Sequence, residues 1–216
     1  MSDFKKLRQQ MIDEQLKSRG LQDKAVLNAL GKVPREKFTP TDLIESAYRD
    51  SPLPIAESQT ISQPYIVALM TAALELKPDD RVLEVGTGSG YAAAVLGEIC
   101  EHVYTIERYK TLADTAQLKL AKTGYGHVQV KHGDGTLGWV EQAPFDAIIV
   151  AAGGPEVPQT LKEQLAIGGR MVIPVGRSLN LQKLVRVRRI SKDEYQTEDL
   201  GDVRFVPLVG AAGWKE

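Results

Sequence analysis

The residues best suited to chemistry gather around "VLEVGTGSGY", Val82 to Tyr91. An apolar, strand-like run leads into Gly86, Gly88 and Gly90, and a helical pattern begins straight after. Glycines at such a turn let the backbone approach a ligand that a Cβ would exclude. No Gly-Lys-Ser/Thr follows, so the loop is not a phosphate-binding P-loop. It is not the dinucleotide fingerprint either, because Tyr91 holds the place of the third glycine. A loop of this form suits a ligand with no pyrophosphate to cradle; the alternative is a plain strand–helix turn. The next strand, "VYTIE", ends in Glu107, 21 residues after Gly86. A carboxylate there can accept both ribose hydroxyls of an adenosine. A third strand ends in "HGDG", which sets Asp134 and Gly135 at the same sheet edge. Asp134 could accept from an adenine amino group while a nearby backbone N–H addresses the ring, or Gly-Asp-Gly is simply a turn.

A second group of polar residues stands in "ESQTISQPY", Glu57 to Tyr65, just ahead of the apolar run Ile66 to Met70. Hydroxyls before such a run are ordinary helix caps, and Pro64 fits a first helical turn. From these residues alone, Ser62 reads as a cap unless something beside it in the fold gives it another use.

Short β-rich runs supply the positions of these groups: "RVLEVG", "HVYTIE", "VQVKHG", "FDAIIVA", "GRMVIPV", "KLVRVRRI" and "VRFVPLV". Helical patterns at Gly90–Cys100, Tyr109–Thr123, near Leu137 and at Pro158–Leu165 separate the first five. Such alternation predicts an α/β fold with a seven-stranded, mainly parallel sheet. The last two runs lack an intervening helix and are expected to form an antiparallel hairpin at the sheet edge. Ahead of the sheet, residues 1–80 read as a helical extension with helices over 3–19, 24–32 and from Pro64 to about Leu76, and residues 81–216 as the sheet core. The 216 residues are expected to form one domain.

The net charge of −1 gives no general attraction to nucleic acid or anionic lipid, and no run is long enough to span a bilayer. The N-terminal residues do not read as a secretory signal. Cys100 is the lone cysteine and sits in an apolar stretch, which suits buried filler and a reducing cytoplasm. His102, His127 and His132 are too scattered for a metal site, and Trp139 and Trp214 read as packing anchors. Glu84, inside the first strand, is expected to brace the glycine loop.

The order of loop, Glu107 and Asp134 is the layout of S-adenosylmethionine-dependent methyltransferases. Over nearly its whole length the chain closely resembles the bacterial protein-L-isoaspartate (D-aspartate) O-methyltransferases. The resemblance rests on "VLNALGKVPREKFTP", "SPLPI", "QTISQPYIVALM", "VLEVGTGSGYAAAVL", "VYTIER", "HGDGTLGW", "FDAIIVAA", "LAIGGRMVIPVG" and "VRFVPL". It implies a Rossmann-like methyltransferase fold and S-adenosylmethionine as co-substrate, with no metal. It also implies transfer of the methyl group to the free α-carboxylate of L-isoaspartyl residues in damaged proteins, with D-aspartyl residues as a second candidate acceptor. In this family the resulting ester collapses to a succinimide whose hydrolysis returns some normal aspartate.

The same resemblance implies that Ser62 lies beside the methyl acceptor as its clamp, and that Thr60 and Ile61 line the cofactor wall with Gly86, Gly88, Glu107, Asp134 and Gly135. "VRFVPLV", with Val206, Pro207 and Leu208, would lie over the substrate peptide. Three positions depart from the family's usual pattern: Ala56, Glu57, which adds a negative charge, and Val209, which lacks a hydroxyl. The competing readings are a methyltransferase for another carboxylate or hydroxyl acceptor, and a cofactor-binding relative without turnover.

Overall fold

The computed structural model describes residues 3–178 and 181–215. The chain begins with α1 (Phe4–Gln10), continues through a π turn over Met11–Leu16, and tightens to a 3-10 turn at Lys17–Arg19. The widened turn, closed by Lys17 N–H donating to Ile12 O, lets Met11 and Leu16, five residues apart, both bury fully. Gly20 ends the helix with φ 87°, as a left-handed cap. Next come α2 (Lys24–Lys32), capped by the Asp23 side chain on Val26 N–H, a two-stranded hairpin of β1 (Leu53–Pro54) and β2 (Thr60–Ile61), and α3 (Pro64–Ala73).

The sheet then forms in alternation: β3 (Arg81–Val85), α4 (Tyr91–Ile99), β4 (His102–Glu107), α5 (Lys110–Lys122), β5 (Gln129–His132), β6 (Phe145–Val150) and α6 (Gln159–Glu163). Three long strands finish it: β7 (Leu165–Ser178), β8 (Leu181–Arg189) and β9 (Tyr195–Val203). Their order is β5-β4-β3-β6-β7-β8-β9, parallel through β7 and antiparallel beyond. The chain runs outward from β3 to β5 and then returns to β6 on the other side. The switch point therefore lies between β3 and β6.

Alternate strand residues face opposite layers. Val82, Ala147, Ile149 and Val172 join the N-terminal helices, α3 and α4 in one cluster. Leu83, Ile148, Val150, Met171 and Ile173 build a second cluster on the other face, with Leu161 of α6. Trp139 packs edge-on against Tyr104, and Cys100 is buried, so both are the packing residues expected.

One element differs from the sequence expectation. The edge hairpin is there, but its outer strand is Tyr195–Val203 rather than Val203–Val209. "YQTEDLGDV" is mostly exposed, so it carries no apolar alternation for a sequence reading to detect. Residues 205–208 are apolar for another reason. They leave the sheet edge and cross the ends of the strands, where Leu208 is buried in the second cluster and Val206 packs on it.

Candidate active site

The carboxyl ends of β3, β4 and β6 open into a cleft of about 970 Å³. Glycine loop, β1–β2 hairpin and the segment after β9 enclose it. Thr60, Ile61, Ser62, Gly86, Gly88, Glu107, Gly135, Val206, Pro207 and Leu208 all line it. Asp134 alone of the expected residues does not.

Gly88 has φ 52°, and a Cβ there would point at the roof, with Ile55 and the Thr60 carbonyl under 4 Å away. Those are ordinary contact distances, so what calls for glycine here is the left-handed backbone rather than a lack of space. The Gly88 N–H donates to Glu107 Oε2 at 2.8 Å and the Tyr109 N–H to Oε1 at 3.0 Å. Each carboxylate oxygen thus keeps a lone pair for the cleft, which fits a pair of ribose hydroxyls. Gly135 lies against β3 so closely that a Cβ would stand 2.5 Å from Val85 Cγ1.

Beneath the loop, Thr105 Oγ1 is hydrogen-bonded to Glu84 Oε2 at 2.5 Å and to the Thr87 hydroxyl at 2.6 Å. Glu84 braces the loop through this chain of hydroxyls, as the sequence suggested. Burial pushes its carboxyl up to about 8, with the nearby Glu107 adding to the shift and the Thr105 bond opposing it. Glu84 is therefore neutral near pH 7.

Asp134 turns away from the cleft. Its Oδ1 accepts from Thr136 N–H and Oγ1 at 2.8 and 2.7 Å, and Oδ2 accepts from Ala211 N–H at 2.8 Å. Burial opposes ionisation, but these donors hold its carboxyl below the usual range. In this arrangement Asp134 caps the short 3-10 turn that follows it and ties it to the C-terminal tail.

Ser62 is not a helix cap. The N-cap of α3 is Gln63, whose side chain makes no capping bond. The Tyr65 N–H instead donates to Asp50 Oδ1 at 3.1 Å, while Asp50 Oδ2 accepts from Gln63 Nε2 at 2.6 Å and Arg19 Nη1 at 2.7 Å. Ser62 is half-buried at the cleft wall, and among the described residues its hydroxyl has no hydrogen-bond partner. Behind it, Arg35 Nη2 donates to the Ser62 carbonyl at 2.8 Å.

The segment after β9 is pinned on one edge. Gly153 N–H donates to Val206 O and Leu208 N–H to Gly153 O, both at 2.8 Å, and Trp214 Nε1 donates to the same Gly153 carbonyl at 2.9 Å. Gln182, packed directly on Gly153, holds the Phe205 main chain. Among the described residues, the Val206 N–H and Pro207 carbonyl keep no partner.

Residues 6–213 match the family described as protein-L-isoaspartate(D-aspartate) O-methyltransferase. The chain belongs to that family. A protein-L-isoaspartate O-methyltransferase of Rhodopseudomonas palustris is 58% identical over 206 residues, covering 95% of this chain and 94% of that one. One from Pelobacter propionicus is 60% identical over 207 residues, covering 96% and 92%. A solved protein-L-isoaspartate O-methyltransferase superposes with TM-score 0.85 at 30% identity, covering 95% of this chain and 67% of that one. The protein from Plasmodium falciparum, solved in complex with S-adenosyl-L-homocysteine, superposes with TM-score 0.80 at 27% identity, covering 95% and 98%.

Of the three positions that depart from the family's usual pattern, Glu57 adds a negative charge, which close to the cleft would repel an anionic acceptor. The side chain does not line the cleft; its Oε1 accepts from Thr111 Oγ1 at 2.6 Å, tying the hairpin tip to α5. Val209 does line the cleft and brings only an apolar surface. Sequence reasoning missed Asp50 and Arg35. Neither carries a local signal, because each acts on a segment 12 or more residues away.

Proposed function

We propose that this chain methylates the free α-carboxylate of L-isoaspartyl residues in damaged proteins, using S-adenosylmethionine, with Ser62 as the acceptor clamp. The single observation that carries the site assignment is the unpartnered Ser62 hydroxyl on the cleft wall, beside a loop and carboxylate suited to an adenosine. Bound in the cleft, S-adenosylmethionine supplies a methyl group activated by a sulfonium.

Glu107 would hold the ribose, Gly86 and Gly88 would let the cofactor lie close to the backbone, and Thr60 and Ile61 would cover it. An α-carboxyl has a reference pKa of about 3.5, so the acceptor is an anion near pH 7 and needs no general base. The remaining requirement is geometry: one carboxylate oxygen in line with the methyl–sulfur bond, about 3 Å from the carbon. Ser62 donates to the other oxygen and keeps that alignment. Carboxylate and sulfonium are consumed together to give ester and thioether, so the hairpin roof favours the reaction by excluding water.

The Val206 N–H and Pro207 carbonyl offer an extended peptide main-chain bonds that do not depend on its side chains. Breadth of sequence suits a repair enzyme. The proposed partners are therefore isoaspartyl-containing proteins in the cytoplasm. No helix among the described residues is long and apolar enough to cross a membrane.

The reading is tested with methyl-labelled S-adenosylmethionine and two peptides that differ only in an L-isoaspartyl or L-aspartyl linkage. Label should enter the isoaspartyl peptide alone and be released by base as methanol, the signature of an ester. Equal labelling of both, or of neither while S-adenosylhomocysteine still binds, would assign the fold to a different acceptor.

A further inference from the structure

Among the described residues, the largest fully buried side chain is a cation, Arg35. Its Nε donates to the Ala47 carbonyl at 2.7 Å and Nη2 to the Ser62 carbonyl, but Nη1 is buried with no partner. The guanidinium lies 4.8 Å from the centroid of the Tyr91 ring, the first residue of α4 after the glycine loop. The Tyr91 hydroxyl is likewise buried, and its nearby polar group is the same guanidinium, which it meets without good hydrogen-bond geometry. Asp50 acts on Arg35 less than the neighbouring Tyr91 and Tyr48 do, and its oxygens already serve Arg19, Gln63 and Tyr65.

Such a group is a poor device for stability. A buried charge loses its hydration, and an apolar side chain of similar volume is often as stable or more so. What Arg35 does hold is the carbonyl of the proposed acceptor clamp, at a helix start that its own residues leave uncapped. It also rests on Tyr91, which lines the cleft on the cofactor side. One planar group thus spans the two halves of the site.

We propose that Arg35 is a positioning residue of the acceptor site, bracing the Ser62 main chain against Tyr91 so that the hydroxyl stays aimed at the methyl acceptor. Without it, the peptide unit between Ser62 and Gln63 is free to rotate about its remaining anchor at Gln63. A misplacement of about 1 Å at a reacting centre lowers rates by about 100-fold. The bond to Ser62 is a main-chain bond, so it survives Ser62→Ala, but its catalytic effect does not.

This distinction defines the test, a double-mutant cycle on kcat/KM for an isoaspartyl peptide with Arg35→Met, Ser62→Ala and both together. Arg35→Met should lower kcat/KM by about 30-fold when Ser62 is present and by less than about 3-fold when Ser62→Ala is already in place. Arg35→Lys, which keeps one charged donor, should recover part of the loss, mostly in kcat. Equal losses in both backgrounds would overturn the proposal, since a merely structural role is indifferent to the Ser62 hydroxyl. Should Arg35→Met not fold, the same cycle run with Arg35→Lys decides by the same comparison. The inference rests on Ser62 being the clamp. A wild-type protein inactive on the peptide refutes that reading, whereas an active one with additive losses refutes only the role of Arg35.

Discussion

The main-chain N–H of Tyr65 donates to the carboxylate of Asp50 at 3.1 Å, across 15 residues of chain. A helix start usually draws its cap from the residues just before it. Here the cap comes from the preceding turn-rich segment, and the local hydroxyl of Ser62 faces a cleft instead. Asp50→Ala removes this cap together with the ties to Gln63 and Arg19. The expected loss is about 1–2 kcal/mol by urea denaturation, with Asp50→Asn losing less because it keeps an acceptor. A change within noise for Asp50→Ala would show that α3 is capped by other means.

Glu107 meets the loop with both oxygens, the same two that are proposed to hold the ribose of the cofactor. Glu107→Gln removes the charge and leaves a donor facing the Gly88 or Tyr109 N–H. S-adenosylhomocysteine should bind more weakly by about 10- to 100-fold, the worth of a hydrogen bond to a charged group. Calorimetric titration checks this; an unchanged Kd would remove Glu107 from the site.

Glu84 gives the fold a pH dependence with a definite sign. Its folded-state value of about 8 stands above the ordinary glutamate value of 4.5, so between these limits the folded chain keeps a proton that the unfolded chain releases. Stability therefore falls as pH rises through that window, with a slope approaching about 1.4 kcal/mol per pH unit from this group. Glu84→Gln stays neutral and should lose that slope. Denaturation curves at pH 5.5 and 7.5 for both proteins make the comparison, and parallel behaviour would contradict it.

Away from the cleft, Arg170 and Asp80 form a buried ion pair, and Arg170 also donates to the carbonyls of Leu74, Glu75 and Asp146. The cluster clips the end of α3 to β7. Asp80→Ala strands the guanidinium and should destabilise by about 3–5 kcal/mol, whereas Asp80→Ala with Arg170→Met should recover part of it. Thermal and urea unfolding measure both. A small loss in the single variant would mean that the carbonyls alone satisfy Arg170.

Much of this was legible where chemistry is local. The glycines of the loop, Glu107 at the end of its strand and the alternation of β3 to β6 with helices are signalled by residue type and period. Ser62 was legible as a candidate but not as a free hydroxyl, because its release depends on Asp50. Asp134 satisfied the spacing for an adenine contact, yet its oxygens face Thr136 and Ala211, groups that no spacing rule includes. The edge strand Tyr195–Val203 was hidden for the converse reason: solvent on its exposed face removes the apolar period. The neighbouring apolar run took its place in the reading, although it lines a site rather than a sheet. Arg35 had no signal at all, since an arginine in "PREKF" reads as surface until the fold buries it.

The most direct test is Ser62→Ala, assayed with saturating S-adenosylmethionine and the isoaspartyl peptide, alongside S-adenosylhomocysteine binding. A hydroxyl that aligns the acceptor predicts a fall in kcat of about 100-fold with cofactor affinity unchanged within about 3-fold. Full activity in the variant would contradict the account, because the one polar side chain assigned to the acceptor would then do nothing for the transfer.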